Sequence, residues 1–588
     1  MTDENIVINV ENVTFTYSGS KTPALTDINL KIREGERVLI TGHAGAGKTT
    51  LCRLFNGLIP HFFRGKLKGD VYVKEYNTKR YDVSFLSHMV GMLFQDPASQ
   101  LIAPTVEDEL AFGAENYGVP PDEIRRRIEI YLEVLRLKDY REQNPHFLSG
   151  GQQQACALGS VLVMGSEILV LDEPTSNLDP IGTFQVFELL NQLSQRERKT
   201  LILVEHKLEE LLPFVDRVIV LKKGEMVFDG KPYDLTHRED LEELGIRIPQ
   251  VTALARRLKQ KIPEVSIPMT LDEAYTTFGK IITKRNINHE KCEEIVKNYI
   301  ASKYTKYKGE ASGEEPIIET VNLTHIYPGG TVAIRDVSLK IYDGEFIAII
   351  GQNGSGKTTL VKHFNGLLLP TEGKVYVFGK DTTEASIIEL SKNVGYVFQN
   401  PDFQICTRKV REELEFGLRN LNLPEEEIEK RVEEVTKALH LEDVLEENPF
   451  SLSKGERQKI VVASILAMKP KVLIVDEPTT GQDYRTSRDM MDFYKKLNDE
   501  GKTIIVITHD MELAAEYASR VIVLNYGRVL LDGPTPEVFT QIETLREAFL
   551  KPPQVTLLAD KLNKYGIPKE ILTIDAMYEC LEKSLGGL

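Results

Sequence analysis

An α/β fold, present twice in one chain and each time followed by a small helical extension, is predicted by three observations. Strand-like runs such as RVLITG and FIAIIG pass straight into glycine loops and then into periodic stretches such as TTLCRLFNGL, the strand, loop, helix order of an α/β unit. EILVLDE, KVLIVDE, TLILVEH and TIIVITH are short continuous runs rich in Val, Ile and Leu, as expected of central parallel strands buried on both faces. Finally, the second half of the 588-residue chain restates the first.

GHAGAGKTT at Gly42 recurs as GQNGSGKTT at Gly351, an offset of 309. FQDP, LSGG and LVLDEPT recur as FQNP, LSKG and LIVDEPT at an offset of 304, and so does PQVTALARRL at Pro249, as PQVTLLADKL at Pro553. A period near 300 residues is too long for a solenoid and implies two whole domains, each with an appendage. The polar stretch KYTKYKGEASGEEP reads as a tether. The predicted division is 1–235 for the first domain, 236–302 for its extension and 303–316 for the linker, then 317–540 for the second domain and 541–588 for its extension.

Composition narrows the class. Hydrophobic residues are 41% and charged residues 27%, which excludes a disordered or collagenous chain. The formal charge of −16 has the wrong sign for a phosphate-backbone binder, so no nucleic acid is expected. No run approaches the roughly 18 apolar residues of a membrane span, and the acidic start MTDENIVINV lacks a basic leader pattern. Five scattered cysteines (Cys52, Cys156, Cys292, Cys406, Cys580) without a CxxC pair read as reduced packing thiols with no assigned role.

Gly42-x4-Gly47-Lys48-Thr49 and Gly351-x4-Gly356-Lys357-Thr358 match the P-loop pattern, each after a strand and before a helix. Glycines let successive backbone N–H groups face one anion, lysine reaches the terminal phosphates, and the threonine hydroxyl can ligate Mg²⁺. Asp172 and Asp476 end apolar strands and are followed by Glu173 and Glu477. One carboxylate of each pair can hold Mg²⁺ while its neighbour polarises an attacking water, the division of labour that phosphoryl transfer requires.

This set resembles, twice over and across nearly the whole chain, the nucleotide-binding domains of ABC ATPases. Leu148-Ser149-Gly150-Gly151-Gln152 is similar to the ABC signature, and Ser453, Gly455 and Glu456 stand in the same positions of the second copy. Gln95 and Gln399 occupy the Q-loop position, His206 and His509 the switch-histidine position, and Tyr17 and Tyr327 the position that stacks on adenine. Asn177-Leu178-Asp179 resembles the D-loop. The resemblance implies that ATP is bound by Gly45 and Thr50, and by Gly354 and Thr359, besides the residues already named. It implies Mg²⁺ held by Thr49, Gln95 and Asp172 and by Thr358, Gln399 and Asp476, with Glu173, His206, Glu477 and His509 catalytic.

By the family pattern the two domains pair within the chain. Each ATP then lies between one P-loop and the opposite signature, so that Lys48 faces Ser453 and Lys357 faces Ser149. Lys454 and Glu456 depart from the signature, and Gln482 breaks the usual D-loop leucine. All three would face the nucleotide held by Lys48, which is therefore expected to be hydrolysed more slowly.

DPASQLIAPTVEDELAFG and NPDFQICTRKVREELEFG, after the two Q-loop glutamines, mix apolar and acidic residues. They and the PQVTxLAxxL appendages resemble the energy-coupling factor group, the cobalt and vitamin importers. That resemblance implies an integral membrane scaffold subunit and a substrate-binding membrane subunit as partners, at the cytoplasmic face of the membrane. A soluble tandem ABC ATPase acting on ribosomes or nucleic acid is the alternative, and a nucleotide-sensing regulator a third reading.

Overall fold

The computed structural model describes residues 5–305 and 313–585, apart from Asn177, Asp179 and Lys207. Two of the D-loop positions and half of the tether, residues 306–312, therefore lie outside the described residues. The chain divides into two units, Met1–Thr277 with Asp483–Arg485, and Phe278–Gln482 with Thr486–Leu588.

In the first unit a six-stranded sheet runs Glu225–Gly230, Arg217–Lys222, Arg37–Thr41, Thr200–Val204, Ile168–Asp172, Val90–Leu93 in spatial order. Its pairings are parallel except at the Glu225–Gly230 edge. Ile168–Asp172 and Thr200–Val204 are buried at every position, which explains their unbroken apolar sequence. A four-stranded antiparallel sheet, led by Ile6–Tyr17, lies beside it. Three helices, Val106–Asn116, Pro121–Val134 and Gly150–Met164, share one apolar core with the six-stranded sheet.

The second unit repeats this plan. Its six strands run Val394–Val397, Val472–Asp476, Thr503–Ile507, Phe346–Ile350, Arg520–Asn525, Arg528–Pro534. In each unit one arginine ties the two sheets together. Arg520 donates to the Lys340 carbonyl at 2.8 Å and pairs with buried Glu345 and with Asp532. Arg217 likewise donates to the Lys31 carbonyl and pairs with Glu36 and Asp229. The expected α/β fold in two copies is what the chain forms, with an antiparallel component in every sheet layer.

Two of the five cysteines correct the reading of reduced thiols. Cys292, on helix His289–Lys303, and Cys580, on helix Ile574–Ser584, form a disulfide within the second unit, their Cα atoms 4.9 Å apart. The sequence separation of 288 hid the pair, because nothing in the repeat pattern says that these two helices pack side by side. Asn288 N donates to the Ser584 carbonyl at 2.8 Å, and Tyr299 and Thr573 share a hydrogen bond at 3.0 Å. Tyr304, just past the helix, is buried and donates its hydroxyl to the Ala515 carbonyl. Cys52 and Cys156 are buried free thiols and Cys406 is an exposed one.

The copies also differ at one buried helix position, Leu54 in the first and His363 in the second. His363 Nδ1 donates to the Thr359 carbonyl at 2.8 Å, and its Nε2 shares a hydrogen bond with His325 Nδ1 at 3.2 Å. Burial pushes its pKa down from 6.5 to about 4, the neighbouring His325 charge adding to the effect.

Two predictions follow from these differences. As pH falls below 6.5 the unfolded chain takes up a proton on His363 before the folded one does. The second unit should then lose up to about 3 kcal/mol of stability between pH 6.5 and 4, and His363→Leu should flatten that slope in urea titrations at stepped pH. For the cross-link, reductant should lower stability of the second unit by about 2–4 kcal/mol, and Cys580→Ser protein should show the lower value with or without reductant.

Candidate nucleotide site

Each P-loop joins a fully buried strand end to a helix, Lys48–Phe55 or Lys357–Phe364. The turn requires glycine at the helix N-cap: Gly47 and Gly356 have φ of 104° and 101°, and a Cβ there would meet the Ala24 or Ala333 carbonyl oxygen at 2.6 or 2.5 Å. Gly45 and Gly354, also at positive φ, face open space. Gly42 and Gly351 abut the carbonyls of Leu221 and Leu524. The loop backbone thus curls around a concavity at a helix N-terminus, which suits a phosphate chain.

Lys48 Nζ donates to the Gly42 and His43 carbonyls, both at 2.8 Å, and Lys357 does the same to Gly351 and Gln352 at 2.9 Å. Burial lowers the Lys48 pKa, an effect that the charges of Glu173 and Asp172 oppose. Thr49 donates its hydroxyl to Asp172 Oδ2 at 2.6 Å, and Thr358 to Asp476 Oδ2 at 2.8 Å. Asp172 Oδ1 is buried without a hydrogen-bond partner, and burial, with the Glu173 charge adding to it, raises that carboxyl to about 6. A bound cation would satisfy both conditions, so Thr49 and Asp172 fit Mg²⁺. Burial raises Asp476 as well.

The next residue turns away from the strand. Glu173 and Glu477 have φ of 51° and 49°, a left-handed conformation uncommon outside glycine, and their N–H groups donate to Val204 and Ile507. Each carboxylate is held by the Q-loop amide: Gln95 Nε2 donates to Glu173 at 2.8 Å and Gln399 Nε2 to Glu477 at 2.7 Å. The histidines come from the neighbouring parallel strand, with His206 Nε2 3.6 Å from Glu173 and His509 Nδ1 3.1 Å from Glu477. Burial works to raise both glutamates, but histidine, lysine and hydrogen bonds together prevail. Glu173 falls below its ordinary value and Glu477 falls to about 2. A carboxylate held that low stays ionised.

The adenine-position tyrosines are locked onto the P-loop helix. Tyr17 and Tyr327 hydroxyls bond Thr50 and Thr359 at 3.1 Å. Each unit thus brings P-loop, acid pair, glutamine, histidine and tyrosine together. The signature residues are not joined to this network by those bonds. Ser149 and Ser453 are exposed N-caps of the helices Gly150–Met164 and Lys454–Ala467, each in a capping box. Gly150 and Gly151 open the first of these helices, and Gln152 returns a bond to Ser149 N at 3.0 Å. In the second, Ser453 donates its hydroxyl to the Glu456 carboxylate at 2.6 Å, and a Cβ on Gly455 would meet Gln482 at 3.1 Å.

Several supporting residues escaped the sequence reading. Gln100 and Gln404 brace the Q-loops by binding Phe94 N and Phe398 N, while buried Glu109 and Glu413 each accept two loop N–H groups. All four recur at the 304 offset, a signal that was available. Tyr396, which donates to Asp476 at 2.8 Å, and Glu205, which accepts from Thr175, have no counterpart in the other copy (Met92 and Thr508), so the repeat could not show them.

Residues 25–176 and 334–480 match the family model described as ABC transporter. A provisionally named ABC transporter ATP-binding protein of Caldanaerobacter subterraneus subsp. tengcongensis is 41% identical over 99% of this chain and 100% of its own length. One from Methanosarcina acetivorans is 43% identical over 99% of this chain and 94% of its own. Among solved structures, cbiO1 from Clostridium perfringens, part of the ABC transporter complex cbiONQ, is 36% identical, covering 42% of this chain and all of its own, with a TM-score of 0.37. The chain belongs to the ABC transporter family, and by that membership it is an ATPase working on ATP with Mg²⁺, with two family regions in one polypeptide.

Proposed function

We propose that this chain is the ATP-hydrolysing, energy-coupling subunit of a membrane importer, of the energy-coupling factor type that takes up a vitamin or a transition-metal ion. The observation that carries the coupling role is apolar surface beside each Q-loop. Ile102 is 64% exposed and Phe403 80%, with Phe112 and Phe416 about half exposed on the helices that follow. Buried Glu109 and Glu413 stiffen this stretch, so the rings are held in water rather than folded away. A membrane subunit with apolar helices would cover them. No helix of the described residues is itself long and apolar enough to cross a membrane.

In this reading Lys48 and Lys357 draw the terminal phosphates, and Glu173 and Glu477 hold the attacking water at their carboxylate oxygens. Gln95 and Gln399, with His206 and His509, keep those carboxylates aimed. Mg²⁺, held by Thr49 and Asp172 and by Thr358 and Asp476, supplies charge neutralisation on the phosphates. Gln95 and Gln399 are the links from the site to the exposed segment, since one end of each loop touches the glutamate and the other the docking stretch. The domains 1–235 and 317–540, with extensions 236–302 and 541–588, are proposed to pair head to tail, each signature completing the other copy's site.

The two sites are proposed to work unequally. Ser149 faces a neutral Gln152, whereas Ser453 is tied to an acidic Glu456 that would repel the nucleotide held by Lys48. Glu477→Gln should therefore lower steady-state ATP turnover by more than tenfold and Glu173→Gln by about twofold, and equal losses would refute the inequality. For the coupling role, the double variant Phe112→Asp, Phe416→Asp should lose copurification with a multi-helix membrane subunit while basal ATPase stays within twofold. Sedimentation of the wild-type chain with ribosomes instead would favour the soluble reading.

A further inference from the structure

The P-loops are offset by 309 residues and the later motifs by 304, so the first copy carries five more residues than the second between them. The extra length is bracketed by matching glycines. Gly57 and Gly366 follow the P-loop helices, and Gly69 and Gly373 both sit at positive φ against the Asn12 and Asn322 carbonyls. The added residues therefore fall within the stretch 58–68, which contains His61, Phe62 and Phe63 just before the strand Gly65–Val73.

That stretch returns to the tyrosine. Gly65 pairs with Tyr17 across the antiparallel sheet, and Ser18 N donates to the Arg64 carbonyl at 3.0 Å. The Phe63 ring meets the Tyr17 ring edge-on at 6.4 Å between centroids. Arg53, one helical turn beyond Thr50, stacks its guanidinium over Phe63 at 4.0 Å and donates to the Tyr17 hydroxyl at 3.3 Å. Tyr17 is thus fixed from three sides, by Thr50, Arg53 and Phe63. In the second copy Lys362 stands at the Arg53 position; Tyr327 meets His325 edge-on at 4.8 Å between centroids, the same contact that Tyr17 makes with Phe15 at 4.8 Å, so the Phe63 and Arg53 contacts are what the first copy adds.

We infer that Phe63 and Arg53 are positioning residues for the base of the nucleotide in the first unit, a cationic-aromatic buttress that the second unit lacks, so that the first site retains nucleotide more tightly through its base. The inference rests on the reading of Tyr17 and Lys48 as an ATP site. A ring held rigidly in place loses less freedom when a base stacks on it, and a guanidinium that stacks on the Phe63 ring while donating to the Tyr17 hydroxyl links the two in a way that a lysine tip does not reproduce. The gain belongs to the base and ribose end, leaving the phosphate cradle unchanged.

The test uses the full chain with one P-loop lysine removed at a time, Lys357→Ala to isolate the first site and Lys48→Ala to isolate the second. Binding of N-methylanthraniloyl-ATP is measured by fluorescence, with ATP, CTP and inorganic tripolyphosphate as competitors. In the Lys357→Ala background, Phe63→Ala and Arg53→Lys should weaken ATP about five- to tenfold, narrow the preference for ATP over CTP, and leave tripolyphosphate within twofold. In the Lys48→Ala background the same changes should do nothing. Phe63→Leu, which keeps apolar bulk and removes the ring, should behave as Phe63→Ala and guards against misfolding. Unchanged ATP affinity would overturn the inference, as would equal loss of ATP and tripolyphosphate, which is the mark of general damage. If the Lys357→Ala parent itself bound no ATP analogue, the ATP-site reading would fall and the buttress with it, an outcome distinct from failure in the variants alone.

Discussion

The contact on which the rest depends is the short hydrogen bond from the P-loop threonine to the strand-end aspartate, Thr49 to Asp172 and Thr358 to Asp476. It fastens the N-terminal turn of a helix to the carboxyl edge of a buried parallel strand. The strand supplies rigidity because both its faces are packed with apolar side chains, and the helix supplies the N–H groups. The backbone then reverses at Glu173 or Glu477 in a conformation that costs energy, and the surrounding bonds from glutamine and histidine hold it there. Aspartate, glutamate, glutamine and histidine thus share one sheet edge.

Much of this was legible in the sequence because the chemistry is concentrated in contiguous motifs. GxxxxGKT and the apolar run ending in Asp-Glu carry their own strand, loop and helix, so local order placed them. The duplication multiplied the signal, since two in-register copies leave little room for coincidence. What stayed hidden has a common physical cause: long sequence separation without repetition. Cys292 and Cys580 meet only because two helices far apart in the chain pack together. Tyr396 and Glu205 escaped for the same reason, each serving one copy alone. The braces Gln100, Gln404, Glu109 and Glu413 act on backbone N–H groups, and an amide or carboxylate devoted to a loop looks in sequence like any polar surface residue.

The differences between the copies are chemically coherent. The first copy surrounds its tyrosine with phenylalanine and arginine and keeps a neutral signature. The second sets its tyrosine against a histidine and carries a carboxylate in its signature. If each nucleotide is shared between copies, the firmer base shelf and the acidic signature fall on the same nucleotide, the one held by Lys48. Tight retention and slow turnover would then reinforce each other there, leaving the second site to set the pace of the cycle.

The central proposal is that each site is completed by the far copy's signature serine. Its most direct test is pre-steady-state ATP hydrolysis by the full chain carrying Glu173→Gln, so that Glu477 alone cleaves, with and without Ser149→Glu. The account predicts that the added carboxylate, although in the first copy, abolishes the cleavage carried out by the second. Unaltered cleavage in the Ser149→Glu protein would contradict it.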